Sequence, residues 1–290
     1  MNYDGVSQEI IELYDDYTHK PLDRRNFMQK LITMAGSSAA ALALLPLLEN
    51  NYAKAAIVSE DDSEIEISNE ILSSSVGKVS LYVAKPKDKT NLPTVLVIHE
   101  NRGLNPHIKD IARRLAKAGF LAIAPDALSI VGGTPKDEDE ARTMIKALDK
   151  DKTKVLYKEC STFSKEHKYS NKKVGVVGFC WGGGIANTLS SISDDVSAVV
   201  SYYGMQLNSE DTKNVNVPLL LHYAGLDTRI NSGISAYVSD LLSNNVEFNL
   251  HMYKGVNHAF NNDTNTARYN KDAAMISWKR TKDFLNLYLN

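Results

Sequence analysis

A chain of 290 residues with 43% hydrophobic and 23% charged side chains can bury one large core, which excludes a disordered protein. The formal charge of -2 gives no electrostatic case for nucleic acid or an anionic membrane, since binding phosphates needs clustered Lys and Arg. Only two cysteines occur, Cys160 and Cys180, and Cys160 lies in a polar, helix-like stretch with no motif around it.

Residues 1–55 read as an export signal. Asp23-Arg24-Arg25-Asn26-Phe27-Met28-Gln29-Lys30 forms a basic n-region, Leu31 to Leu48 an apolar run, and Ala53-Lys54-Ala55 a small-x-small cleavage site. The paired arginines with Phe two residues later resemble a twin-arginine signal, which carries folded proteins across the bacterial inner membrane. Gly36, Ser37, Ser38 and Pro46 make the run a poor spanning helix. The expectation is a mature chain starting near Ala56 in the periplasm, with no stable membrane association after cleavage; the alternative is a cytoplasmic protein. Residues 56–290 then form a single domain.

In that domain Glu64-Ile65-Glu66-Ile67 and Val79 to Ala84 alternate polar and apolar, as half-exposed strands do. Thr94 to Ile98, Phe120 to Ala124, Val174 to Val177, Ala198 to Val200 and Leu219 to Leu221 are continuously apolar, which predicts strands covered on both faces. Helical stretches lie between and after them: Ile108 to Ala118, Glu138 to Leu148, Lys154 to His167, Gly184 to Ile192 and Ile234 to Leu242. An extended segment, Glu247 to Tyr253, precedes a closing helix from about Thr266 to Leu287. This alternation predicts an α/β fold, a doubly wound, mostly parallel sheet with helices on both faces.

The most informative motif is Gly178-Phe179-Cys180-Trp181-Gly182, between the strand Val174 to Val177 and a helix. A strand that turns sharply into a helix needs glycines around the turning residue, whose side chain is thrust clear of the sheet. That is the nucleophile elbow of the α/β-hydrolase fold, with cysteine where serine usually sits. In open parallel sheets functional groups gather in the loops beyond the carboxyl ends of the strands. Those loops carry Glu100 after the first core strand, Cys180 at the elbow, Asp227 after Leu219 to Leu221, and His258 after the last strand. Singly, Asp227 is a turn former, His258 a loop histidine and Glu100 a solvated acid. Jointly, the order Cys180, Asp227, His258 matches a hydrolase triad: His258 takes the thiol proton, and Asp227 holds the ring in its tautomer. A disulfide between Cys160 and Cys180 would disable this nucleophile. His222 and His251 sit in strand-like runs, His107 and His167 read as helix-surface residues, and His99 as structural. No paired Cys-His spacing predicts a metal site.

With these residues in place, the chain resembles the dienelactone hydrolase family, carboxymethylenebutenolidase-like members of the α/β-hydrolase fold. The resemblance rests on Gly178-Phe179-Cys180-Trp181-Gly182-Gly183, on Glu100 in His99-Glu100-Asn101-Arg102-Gly103, on Ala124-Pro125-Asp126, and on the Asp227 and His258 loops, across residues 64–290. It implies a cofactor-free cysteine hydrolase of small lactones or esters in which Glu100 interacts with the thiol and receives its proton. It also implies an oxyanion hole from the backbone N–H groups of Trp181 and Asn101. One departure matters. The family binds a substrate carboxylate with arginines after the Pro-Asp and after the catalytic histidine, where this chain has Asp126-Ala127-Leu128-Ser129-Ile130 and His258-Ala259-Phe260-Asn261-Asn262. Neither Ala nor Asn supplies a bidentate guanidinium, and Arg102, Arg229 and Arg268 are the candidates to replace it. The rival functions are a non-catalytic binding protein on the same fold and a thiol redox protein, the latter disfavoured by the lack of a Cys-x-x-Cys pair. The sequence leaves the oligomeric state open.

Overall fold

Residues 5–53 and 56–290 are described by the computed structural model of the chain. The body is an eight-stranded sheet in the order β1-β2-β4-β3-β5-β6-β7-β8. Its strands are β1 (Ile65–Ser74), β2 (Gly77–Pro86), β3 (Leu92–Ile98), β4 (Leu121–Pro125), β5 (Ser170–Phe179), β6 (Ala198–Tyr202), β7 (Leu219–Ala224) and β8 (Phe248–Tyr253). From β4 to β8 every pairing is parallel, while β1 and β2 form an antiparallel hairpin on one edge. β1 runs seven residues past the expected Ile67, because an edge strand exposed to water can be polar and needs no apolar alternation.

Three helices, α1 (Gln8–His19), α2 (Arg24–Ala35) and α3 (Ser38–Leu48), precede the sheet. The crossover helices are α4 (Pro106–Lys117), α5 (Glu138–Ala147), α6 (Lys150–Glu166), α7 (Trp181–Ile192), the short α8 (Ser209–Thr212) and α9 (Thr228–Asn231), and α10 (Ile234–Ser243); α11 (Lys271–Leu289) closes the chain. Two apolar layers flank the sheet. One holds Val95, Val97, Ile111, Phe179 and Tyr202, the other Leu96, Ile98, Leu156, Val176 and Leu221, as period-2 strands with both faces covered require.

The region expected to be a detachable signal is packed on the body. Val6, Ile10, Ile11, Tyr14, Tyr17, Phe27, Leu31, Ala41 and Leu48 form a small core of their own, in which Ala267 is the one buried apolar residue from the body among the described residues. The seam is otherwise polar: Arg102 donates to Tyr14 Oη at 3.1 Å, Arg142 to the Tyr17 carbonyl at 2.8 Å, Gln8 to Asn257 at 2.8 Å and Asn51 N–H to the Thr264 carbonyl at 2.8 Å. Arg24 of the twin-arginine pair binds Glu49 and Asp139, and Phe27 stacks on Tyr17 with centroids 4.3 Å apart. Among the described residues no single helix is long and apolar enough to cross a membrane; α2 and α3 meet that length and composition only when taken together, and they bend by 113°. Of the expected cleavage site, Lys54 and Ala55 lie outside the described residues.

His107 and His167, expected on helix surfaces, are buried, because distant acids meet them: Asp263 at 3.2 Å and Glu70 at 3.4 Å. His222 is a satisfied core histidine between Tyr253 Oη and Thr281 Oγ1. Because the N-terminal core is nearly separate from the body, Phe27→Ala should cost that core about 3–5 kcal/mol while leaving the sheet intact. Limited proteolysis read by mass spectrometry should then find new cuts between residues 5 and 53 and none in the sheet.

Candidate active site

Cys180 sits where β5 breaks into α7, at φ 55° and ψ -115°, a conformation that a side chain larger than glycine adopts only when its surroundings impose it. The surroundings here are close backbone approaches. A Cβ at Gly178 would collide with the Gly182 carbonyl, and one at Gly182 with the carbonyls of Ile98 and His99. The Cys180 N–H donates to the Tyr202 carbonyl at 3.0 Å, pinning the turn to β6. Trp181, the first residue of α7, stacks on buried His99, with centroids 5.3 Å apart. His99 accepts from the Ala127 N–H through Nε2 and is structural.

Asp227 caps α9, accepting from the Ile230 N–H, and its other oxygen lies 2.5 Å from His258 Nδ1. Both residues are buried. Burial alone would push the His258 imidazole down, but the Asp227 and Cys180 charges outweigh it and hold the ring at about 9. The same pairing keeps Asp227 below the usual carboxylate range against its own burial. A ring nitrogen of His258 and Cys180 Sγ lie within 4.8 Å of one another, and His258 Nε2 is buried with no hydrogen-bond partner. The loops thus bring Cys180, Asp227 and His258 together.

The sulfur's hydrogen-bond partner comes from within residues 1–55, the segment whose sequence reads as an export signal. His19, at the end of α1, places Nε2 3.3 Å from Cys180 Sγ. Its Nδ1 lies 2.9 Å from the Asp15 carbonyl oxygen and 3.1 Å from the Asp15 carboxylate. Burial would raise the Asp15 carboxyl, yet His19, His258 and Arg268 hold it far below the ordinary range. The signal that could have found these residues is the apolar stripe Ile10, Ile11, Tyr14, Tyr17 with acids between, an amphipathic helix upstream of any export signal.

Glu100 lines the same small cavity, but its Oε2 accepts from Asn262 Nδ2 at 2.8 Å, so the hydrogen bond to the sulfur expected of it comes from His19. Asn101 donates from its side chain to the Thr18 carbonyl at 3.1 Å. Arg102 is spent on Glu138 and Tyr14, whereas Arg229 and Arg268 face the Asp15 carboxylate at 3.7 and 3.8 Å. The cavity against Cys180 measures about 10 Å³, room for a single water, and beside it one of about 210 Å³ is lined by Asp15, Asp227, Arg229, His258 and Arg268. Cys160 is buried, free and unpaired with Cys180, and burial pushes its thiol far up.

Residues 79–289 match the family model described as the dienelactone hydrolase family. The chain belongs to the dienelactone hydrolase family. A second model, described as YqhI-like, matches residues 4–34. Among curated relatives, Protein usf of Aquifex pyrophilus is 34% identical over 220 residues, 73% of this chain and 94% of that protein. A Yersinia pestis protein provisionally named carboxymethylenebutenolidase is 32% identical, covering 70% and 81% respectively. A solved structure from Klebsiella pneumoniae, provisionally a dienelactone hydrolase, superposes with a TM-score of 0.71 at 25% identity, over 77% of this chain and 99% of that one. The family and these relatives make the chain an α/β-hydrolase-fold member of a hydrolase family, which is consistent with a small-molecule substrate.

The Asp227–His258 pair favours the folded state fully below the ordinary imidazole pKa, and that contribution is lost as pH rises through about 9. Replacing Asp227→Asn should lower the His258 midpoint by about 1–3 units, read by NMR titration of the ring.

Proposed function

We propose that the protein is a cysteine-dependent hydrolase of small esters or lactones, with Cys180 as nucleophile. The observation that carries this reading is Cys180 held at positive φ at the head of α7, with the Asp227–His258 pair beside it. The thiolate attacks the acyl carbon, His258 protonates the leaving oxygen, and a water activated by His258 releases the acid from the thioester. The backbone N–H groups of Trp181 and Asn101 serve the developing oxyanion. Glu100, which lines the same cavity, is an additional acceptor for the thiol proton once the sulfur is freed from His19. Replacing Cys180→Ala should reduce turnover of aryl esters and lactones by at least about 10³-fold; activity within a few fold of wild type would reject the assignment.

We also propose that residues 1–55 are a twin-arginine export signal whose helices cover the active site until the chain is processed near Ala56. Two features support this. A cavity of about 10 Å³ leaves no space for an acyl group at Cys180 while α1 is docked, and the largely polar seam lets α1–α3 leave without opening the body's core. Undocking releases Arg24 from Asp139, whereas Phe27 is buried in the helices' own core and Arg24 also pairs with Glu49, so the motif becomes fully readable only as α1–α3 also come apart from one another. Protein recovered from the periplasm should begin near Ala56. It should turn over small esters about tenfold faster or more than the full chain, the ratio expected if docking favours the covered state by about 1.4 kcal/mol. Intact Met1 on periplasmic protein, or equal rates, would count against this.

A further inference from the structure

His19, Cys180 and His258 present ligand atoms that all lie within 4.8 Å of one another. The pattern of their outer contacts is as informative as that spacing. His258 turns Nδ1 to the Asp227 carboxylate and leaves Nε2 buried without a partner. His19 likewise turns Nδ1 to Asp15 and aims Nε2 at the same sulfur. A histidine that binds a metal through one nitrogen characteristically donates the other N–H to a carboxylate or backbone carbonyl, which fixes its tautomer and raises its basicity. Here two histidines from opposite ends of the chain do so toward one thiol. Their rings meet edge to face, with centroids 4.7 Å apart.

We propose that these three residues form a binding site for a borderline-soft divalent cation, Zn²⁺, which fastens α1 over the active site and takes Cys180 out of service. One thiolate and two imidazoles suit Zn²⁺ and not Mg²⁺ or Ca²⁺, which require oxygen donors. Tetrahedral bonds of the usual length place a zinc-bound sulfur and nitrogen ~3.5 Å apart and two nitrogens ~3.3 Å apart. The 3.3 Å between His19 Nε2 and Cys180 Sγ is therefore already near the required edge, and His258 must close in by at most ~1.5 Å. The adjoining cavity of about 10 Å³ has room for one water as the fourth ligand. On binding, the thiol and any imidazolium proton pass to solvent, and no electron is transferred. The Asp15 and Asp227 carboxylates offset the remaining positive charge. The blocking of turnover rests on the assignment of Cys180 as nucleophile; the metal site itself does not.

The test is a titration of the full 290-residue chain, stripped with chelator, with Co²⁺ as a spectroscopic stand-in and Zn²⁺ as competitor. One equivalent of Co²⁺ should give a thiolate-to-cobalt charge-transfer band, displaced by one equivalent of Zn²⁺ and untouched by Mg²⁺. Cys180→Ser should abolish the band and Cys160→Ser should retain it. Asp15→Asn should weaken binding about 10–100-fold. His19→Gln should weaken it at least as much, and His19→Cys, which returns a soft ligand, should recover the band. A titration without the band, equal affinity in wild type and His19→Gln, dependence on Cys160, or a His19→Cys variant no better than His19→Gln would each overturn the proposal. Because the readout is a spectrum, an intact cobalt band in the full chain together with no esterase activity in metal-free protein beginning near Ala56 would refute the hydrolase reading alone.

Discussion

Every functional contact in this molecule is measured from one strained residue. Cys180 holds φ 55° because β5, α7 and the end of β3 approach so closely that only glycine fits at positions 178 and 182. The strain is local, and the surrounding sheet over-determines it: the Cys180 N–H is tied to β6, and Trp181 is clamped on a buried imidazole. Such a mount fixes the sulfur relative to loops contributed by distant strands. Residues 227 and 258 can therefore meet it without any contact between them in sequence.

The second organising fact is that the sulfur has two imidazoles beside it, each backed by an aspartate. One pair, Asp227 and His258, belongs to the sheet's own loops. The other, Asp15 and His19, arrives on a helix with its own small core. Arg229 and Arg268, which line the larger adjoining cavity, face Asp15 in this arrangement. The N-terminal helices thus occupy both the Cys180 sulfur and the nearby cations at once.

Much of this was legible in the sequence where the cause was local. The glycines around Cys180, the apolar runs of β3 to β7 and the positions of Asp227 and His258 after their strands are all short-range consequences of a covered parallel sheet. What the sequence hid came from contacts between distant segments. His19 meets Cys180 across 161 residues, and a composition that reads as a signal gave no reason to look there. His107 and His167 are buried only because Asp263 and Glu70 reach them from other elements. β1 extends through Ser68, Asn69 and Glu70 because its partner strand, not its own pattern, dictates its length. Glu100 shares the expected cavity, but Asn262 competes for its carboxylate.

The largely polar seam beneath α1–α3 has a thermodynamic corollary. Separating two surfaces joined by hydrogen bonds and ion pairs, with little apolar area exchanged, carries a small heat-capacity change, so the strength of docking varies weakly with temperature. Ionic strength acts on it more directly, since mobile ions screen Arg24 from Asp139 far more than they disturb the sheet's interior. Warming and salting this protein therefore probe different halves of it.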